Sequence, residues 1–125
     1  MPTTLQMGQD NLGIRFQRMA DEYGPQTAIW FDEHDSVSYD ELNKLANRMA
    51  RHLIERGVAP GNVVCLSSEK SVDRFACMIA CLKLGAIYSV LDCDSPAARL
   101  SKILSICQPR LLLAGRNLLD KLDEN

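Results

Sequence analysis

The sequence predicts an α/β fold, a mostly parallel sheet with flanking helices. Three observations carry the prediction. From residue 62 onward the order is strand, helix, strand, helix, strand. The strand runs at 62–66, 87–91 and 111–114 are near-continuously apolar instead of alternating, which marks strands covered on both faces. The segments between them are long enough for crossover helices, which right-handed chirality folds back onto the sheet.

The elements follow in order. Residues 1–10 are polar and are expected to fray. Residues 11–23 place Leu12, Phe16 and Met19 at helical spacing, and Gly24-Pro25 stops the helix. A β-favouring run at 27–31, a polar turn at 32–36 and a return at 37–39 suggest a short hairpin. Ser38-Tyr39-Asp40-Glu41 fits a capping box, in which Ser and Glu satisfy each other's free backbone N–H groups. Leu42, Leu45, Ala46, Met49, Ala50, Leu53 and Ile54 then form one apolar stripe. Arg51, His52 and Arg56 suit the negative end of that helix, and Gly57 supplies its left-handed terminus. After the Pro60-Gly61 turn come the strand at 62–66, a helix at 71–84 ended by Gly85, and the strand at 87–91. Asp94-Ser95-Pro96 offers a cap and a helix-starting proline for a helix reaching Cys107. Pro109 precedes the strand at 111–114, and Gly115 opens a final short helix that runs to the end of the chain.

The helix at 71–84 is apolar around its whole circumference, with Asp73, Arg74 and Lys83 near its ends. Such a helix must be covered on both sides. The sequence therefore suggests a missing partner layer and self-association through this helix, with Phe75, Met78, Ile79 and Leu82 outward.

Composition narrows the function classes. A 46% hydrophobic share supports a core, and 14 basic against 16 acidic residues give a net charge of -2. That balance argues against a nucleic-acid or anionic-membrane binder, which would present a basic surface. The longest apolar run, residues 75–82, is far below the roughly 18 residues of a membrane span. No secretory pattern opens the chain. Five cysteines without a pairing pattern read as reduced thiols, with Cys65, Cys77 and Cys81 buried, and suit a cytoplasmic setting.

Chemistry-bearing residues are few. Ser67-Ser68-Glu69-Lys70-Ser71 follows a strand and could touch a phosphate, but it lacks the glycines of a phosphate cradle and reads more readily as a loop ending in a helix cap. Asp92 and Asp94 flank Cys93 at a strand end, where a cation could sit; capping by Asp94 or Ser95 and turn-ordering by Asp92 is the simpler reading. His52 lies in a basic last turn and reads as a solvated dipole partner before an acid–base group. Cys77 and Cys81, four apart, read as buried thiols before metal ligands. No nucleophile elbow, Rossmann fingerprint or P-loop is present. No residue is assigned a catalytic, substrate, cofactor or metal role.

Several segments resemble a known family. Val37-Ser38-Tyr39-Asp40-Glu41-Leu42 resembles the first core motif of adenylation domains, L-[TS]-Y-x-E-L, and residues 43–50 resemble the helix after it. Leu82-Lys83-Leu84-Gly85-Ala86-Ile87-Tyr88 resembles the second motif, L-K-A-G-x-A-Y-V-P-[IL]-D. Leu91-Asp92 and Ser95-Pro96-Ala97-Ala98-Arg99 resemble its tail, and residues 108–113 resemble the strand that follows. Ser89-Val90 stand where V-P is usual, and Cys93 stands where a proline is usual. The likeness covers about residues 12–115, in order, and points to the superfamily of acyl-CoA synthetases, nonribosomal peptide synthetase adenylation domains and luciferases.

The resemblance implies that residues 11–125 form a partial N-terminal subdomain of the large domain of an adenylate-forming enzyme. For the parent it implies ATP and Mg²⁺, formation of an acyl-adenylate from an amino or other carboxylic acid, and transfer to a carrier-protein or CoA thiol. The family's phosphate loop, adenine and ribose motifs, acyl pocket and catalytic lysine lie further along the chain than residue 125. The segment itself would be scaffold, bound to the remainder of the parent domain, without cofactor or activity of its own. A stand-alone α/β binding or interaction module is the alternative. A receiver-like domain needs an acidic cluster from several strand ends, and only one strand end here is acidic.

Overall fold

The computed structural model describes residues 11–32, 35–67 and 71–123. The expected fraying of residues 1–10 lies outside this set, as do Ser68, Glu69 and Lys70 of the serine-rich loop.

The chain opens with α1 (Leu12–Tyr23), then β1 (Thr27–Asp32), β2 (Asp35–Ser38) and α2 (Tyr39–Glu55). Asn11 caps α1, its Oδ1 accepting from the backbone N–H of Gly13 at 2.6 Å and of Ile14 at 3.3 Å. β1 and β2 pair antiparallel as a two-stranded hairpin, and β2 begins two residues earlier than its apolar pattern suggests. Ser38 caps α2: its Oγ accepts from the Glu41 N–H at 3.1 Å. The expected reciprocal half of the capping box takes another form, with the Ser38 hydroxyl 3.2 Å from Glu41 Oε1. Gly57 ends α2 at φ +86, a left-handed value that L side chains adopt at a cost.

The rest forms the sheet and its crossovers: β3 (Val63–Ser67), α3 (Val72–Leu84), β4 (Ile87–Leu91), α4 (Ala97–Cys107), β5 (Leu111–Leu113) and α5 (Arg116–Asp123). The strand order is β4-β3-β5, and both pairings are parallel. The path steps outward from β3 to β4 and then doubles back to β5. With crossovers of one hand, that reversal places α3 and α4 on opposite faces. The core clusters show it. Val64 and Leu66 of β3 pack with Cys77, Ala80 and Cys81 of α3, whereas Cys65, one residue between them, packs with Leu91, Leu100 of α4 and Leu118 of α5.

Neither Asp94 nor Ser95 caps α4, contrary to the sequence expectation. Pro96 holds the cap position without a side-chain bond, and its carbonyl accepts from Arg99 and Leu100 N–H at 3.0 and 3.1 Å. The proline has moved the helix start one residue past the polar pair.

The expected missing layer over α3 is also corrected. A second cover exists within the chain. On the side away from the sheet, Ala76, Phe75 and Ile79 pack with Leu42 and Ala46 of α2, Phe16 of α1 and Phe31 and Val37 of the hairpin. The Phe31 and Phe75 rings lie 6.4 Å apart. Phe75, Met78, Ile79 and Leu82 are half-buried. Self-association through residues 71–84 thus loses one of its supports, an uncovered helix face, and rests on the area these four side chains leave half-exposed. The hairpin and the two N-terminal helices, read from sequence as separate local elements, form that layer together.

A polar joint locks this layer. Lys83 Nζ donates to Asn43 Oδ1 at 2.5 Å, Asn47 Oδ1 at 2.6 Å and Gln17 Oε1 at 3.0 Å, joining α3 to α2 and α1. Its three N–H bonds meet three neutral acceptors, which holds the ammonium in place. Partial burial draws its pKa below the ordinary lysine value, with Asp21 nearby opposing that shift.

Candidate functional site at the carboxyl edge of the sheet

In a doubly wound sheet, ligands gather where the strand order reverses, outside the carboxyl ends of the strands. Here that point lies between β3 and β5. A cavity of about 540 Å³ opens there. Its floor is apolar, from Leu66, Leu113, Met49 and Cys77. Its rim is polar, from Ser67, Ser71, Asp73 and Arg74, and Gly115 closes the β5 side without a side chain.

Local sequence explains the rim. Ser67 is the last residue of β3, and its Oγ lies 3.2 Å from Cys93 Sγ, just beyond the end of β4. Ser71 is the N-cap of α3, accepting from the Arg74 N–H at 3.1 Å. The Arg74 guanidinium lies over the Phe75 ring, 4.9 Å from its centroid. Ser67 Oγ thus joins the two strand ends, and Ser71 Oγ serves as the acceptor at the helix start. Asp73 adds negative charge beside Arg74 instead of leaving a purely cationic pocket. Among the described residues the rim presents no cluster of glycine N–H groups of the kind that cradles a nucleotide phosphate chain.

The other sequence candidates are scattered. His52 is exposed on α2, with its Nδ1 3.8 Å from Glu55 Oε2, a solvated pair at the helix end. Asp92 and Asp94 are exposed; Asp92 Oδ1 accepts from the Asp94 N–H at 2.9 Å and its carbonyl accepts from Ser95 N–H at 3.1 Å. They order the turn. Lys121 of α5 clamps the same turn, donating to the backbone carbonyls of Cys93 and Ser95. Sequence reasoning passed over Lys121 because its partners are main-chain atoms, invisible to residue patterns. It passed over Arg74 and Met49 because the pocket joins elements far apart in the chain.

All five cysteines are free, and Cys65, Cys77 and Cys81 are buried. Among the described residues no three metal-binding side chains converge. The hydrogen bond to Cys81, together with burial, pushes Cys77 far above the ordinary thiol range. Burial, with the Cys107 thiol beside it, pushes Cys65 from 9.0 up to about 11. Burial and the upward shift make Cys65 and Cys77 packing thiols that stay protonated at neutral pH. The Cys65 shift has a measurable consequence. Unfolded Cys65 ionises near 9.0 and the folded thiol does not, so its contribution is intact below pH 9.0 and is lost as pH rises toward about 11. Urea titrations across that window should show a steeper alkaline loss for the native chain than for Cys65→Ala. Parallel pH profiles for the two would show that Cys65 titrates normally.

Comparison with known proteins agrees with this architecture. Residues 16–125 match the family described as AMP-binding enzyme. The chain is 38% identical over 102 residues to the probable non-canonical nonribosomal peptide synthetase CymA of Salinispora arenicola, covering 82% of this chain and 1% of that protein. It is 34% identical over 102 residues to tyrocidine synthase 1 of Brevibacillus parabrevis, covering 82% of this chain and 9% of the synthase. Among solved structures, the fatty acyl CoA synthetase of Mycobacterium tuberculosis superposes with a TM-score of 0.84 at 26% identity, over 95% of this chain and 24% of that one. The N-terminal subdomain of NpsA from Klebsiella oxytoca shares the fold, with a TM-score of 0.76 at 23% identity over 83% of this chain and 27% of that chain. The chain thus spans a small part of the proteins it resembles. The agreement of fold, motif order and residues 16–125 places this chain in the AMP-binding enzyme family.

Proposed function

We propose that residues 11–125 are the N-terminal scaffold of an ATP-dependent carboxylate-adenylating enzyme. The observation that carries the reading is a family match across residues 16–125 in a chain that spans only 1% and 9% of two synthetase relatives. The parent would join a carboxylate to ATP, forming an acyl-adenylate and pyrophosphate, with Mg²⁺ assisting. It would then pass the acyl group to a carrier-protein or CoA thiol. Peptide synthetases and an acyl CoA synthetase among the similar proteins support both acceptors. Such a reaction turns on stabilising charge at the α-phosphoryl group. The rim of the β3–β5 cavity carries a carboxylate and, among the described residues, no glycine cluster, so in this reading the segment contributes the sheet and its backing helices, not the phosphate clamp.

The test is ATP–pyrophosphate exchange by the pure 125-residue chain across a panel of amino and fatty acids. The expected exchange equals a no-enzyme blank. Reproducible, substrate-dependent exchange by the pure chain would overturn the scaffold reading.

A further inference from the structure

The outward face of α2 carries a basic stripe that the family reading leaves unused. Lys44, Arg48 and Arg51 recur at i, i+4 and i+7, so they form one stripe. All three are exposed. Together with Asn47 they line a shallow concavity of about 670 Å³, and no carboxylate lines it. Among the described residues none of the three makes an ion pair. Glu55, one turn beyond Arg51, pairs with His52 instead.

Three features separate this stripe from an ordinary solvated face. Like charges one helical turn apart repel, a cost that Asp40 and Glu41 one turn before Lys44 and Glu55 one turn beyond Arg51 offset only at the two ends of the stripe. The whole chain carries a net charge of -2, so the cluster does not follow from composition. The platform is also rigid. Leu42, Ala46 and Leu53 anchor the opposite face of α2, and Lys83 holds Asn47 Oδ1 at 2.6 Å beside the concavity.

We propose that this face of α2 docks an acidic helix of another protein or domain, whose carboxylates, one turn apart, meet Lys44, Arg48 and Arg51. The two guanidinium groups offer planar forks that match carboxylates bidentately, and the matched helical repeat sets the register. A polyanionic nucleic acid is the weaker match, because one narrow stripe on an acidic chain gives little phosphate-tracking surface. The inference does not depend on the proposed adenylating reaction.

The experiment uses the ¹⁵N-labelled chain and a synthetic helical peptide with glutamates at i, i+4 and i+7. Amide shift changes should cluster at residues 44–51, saturate, and weaken as salt shortens the reach of the charges. Arg48→Glu combined with Arg51→Glu should keep the native spectrum elsewhere and weaken binding at least about tenfold. A scrambled peptide of the same composition should bind several-fold more weakly. The proposal is overturned by absent or dispersed shifts, by equal binding of the reversed variant or the scrambled peptide, or by a single-stranded oligonucleotide binding more tightly than the peptide.

Discussion

Leu100→Ala should lower the stability of the chain by about 2–5 kcal/mol, the range for removing a fully buried leucine side chain. Leu100 lies on α4 at 0% exposure, enclosed with Cys65, Leu91 and Leu118. It sits where the sheet, α4 and α5 meet, so truncation opens a cavity that no single side chain can close by rotation. The same helix supplies its own control. Ile106 is 72% exposed, and Ile106→Ala should change stability by no more than about 0.5 kcal/mol. Urea unfolding of both variants measures the contrast as a shift in midpoint at constant slope. Equal midpoints would mean that α4 is not docked as described.

Gly13→Ala should destabilise the chain by about 1–3 kcal/mol, the range for overpacking a close contact. Helix propensity alone argues the other way, since alanine in place of glycine favours a helix by up to about 1 kcal/mol. The contact decides the sign. A Cβ on Gly13 would lie 2.6 Å from the backbone N of Lys83 and 2.7 Å from its Cα. Those are main-chain atoms of α3, and no rotamer change moves them. The same Cβ would stand 2.9 Å from Asn11 Oδ1, the atom that caps α1. α1 would have to lift from α3, stretching the Gln17–Lys83 bond. Thermal unfolding read by circular dichroism should show a lower midpoint for Gly13→Ala than for the native chain. A higher midpoint would show that α1 crosses α3 less closely than this.

Much of the fold was legible in the linear chain. Near-continuous apolar runs at 62–66, 87–91 and 111–114 announced a parallel sheet, because strands covered on both faces need no polar side. Ser38 and Ser71 as caps, and Gly57 and Gly85 as left-handed ends, follow from backbone requirements within a few residues of each helix terminus. The family was legible for a similar reason, since its motifs are short and contiguous: residues 37–42 and 82–88 each carry one.

What the chain could not reveal locally involves pairs far apart in sequence. Residues 71–84 looked uncovered because their second cover comes from α1, the hairpin and α2, about 30–60 residues upstream of the residues they cover. Periodicity reports that a helix has two apolar sides; it does not report what fills each side. Gln17, Asn43 and Asn47 are ordinary polar residues until the fold brings Lys83 to all three. The pocket at β3 and β5 depends on strand order, which apolar runs alone leave open, since β4-β3-β5 and a simple sequential sheet share the same pattern. Sequence alone therefore determined the kinds of element, the caps at Ser38 and Ser71 and the family, because these rest on spacing within a few residues. Only the tertiary structure decided which faces meet, where apolar surface remains, and where charge collects. Those outcomes depend on contacts whose partners are set by chain crossing, not by neighbouring residues.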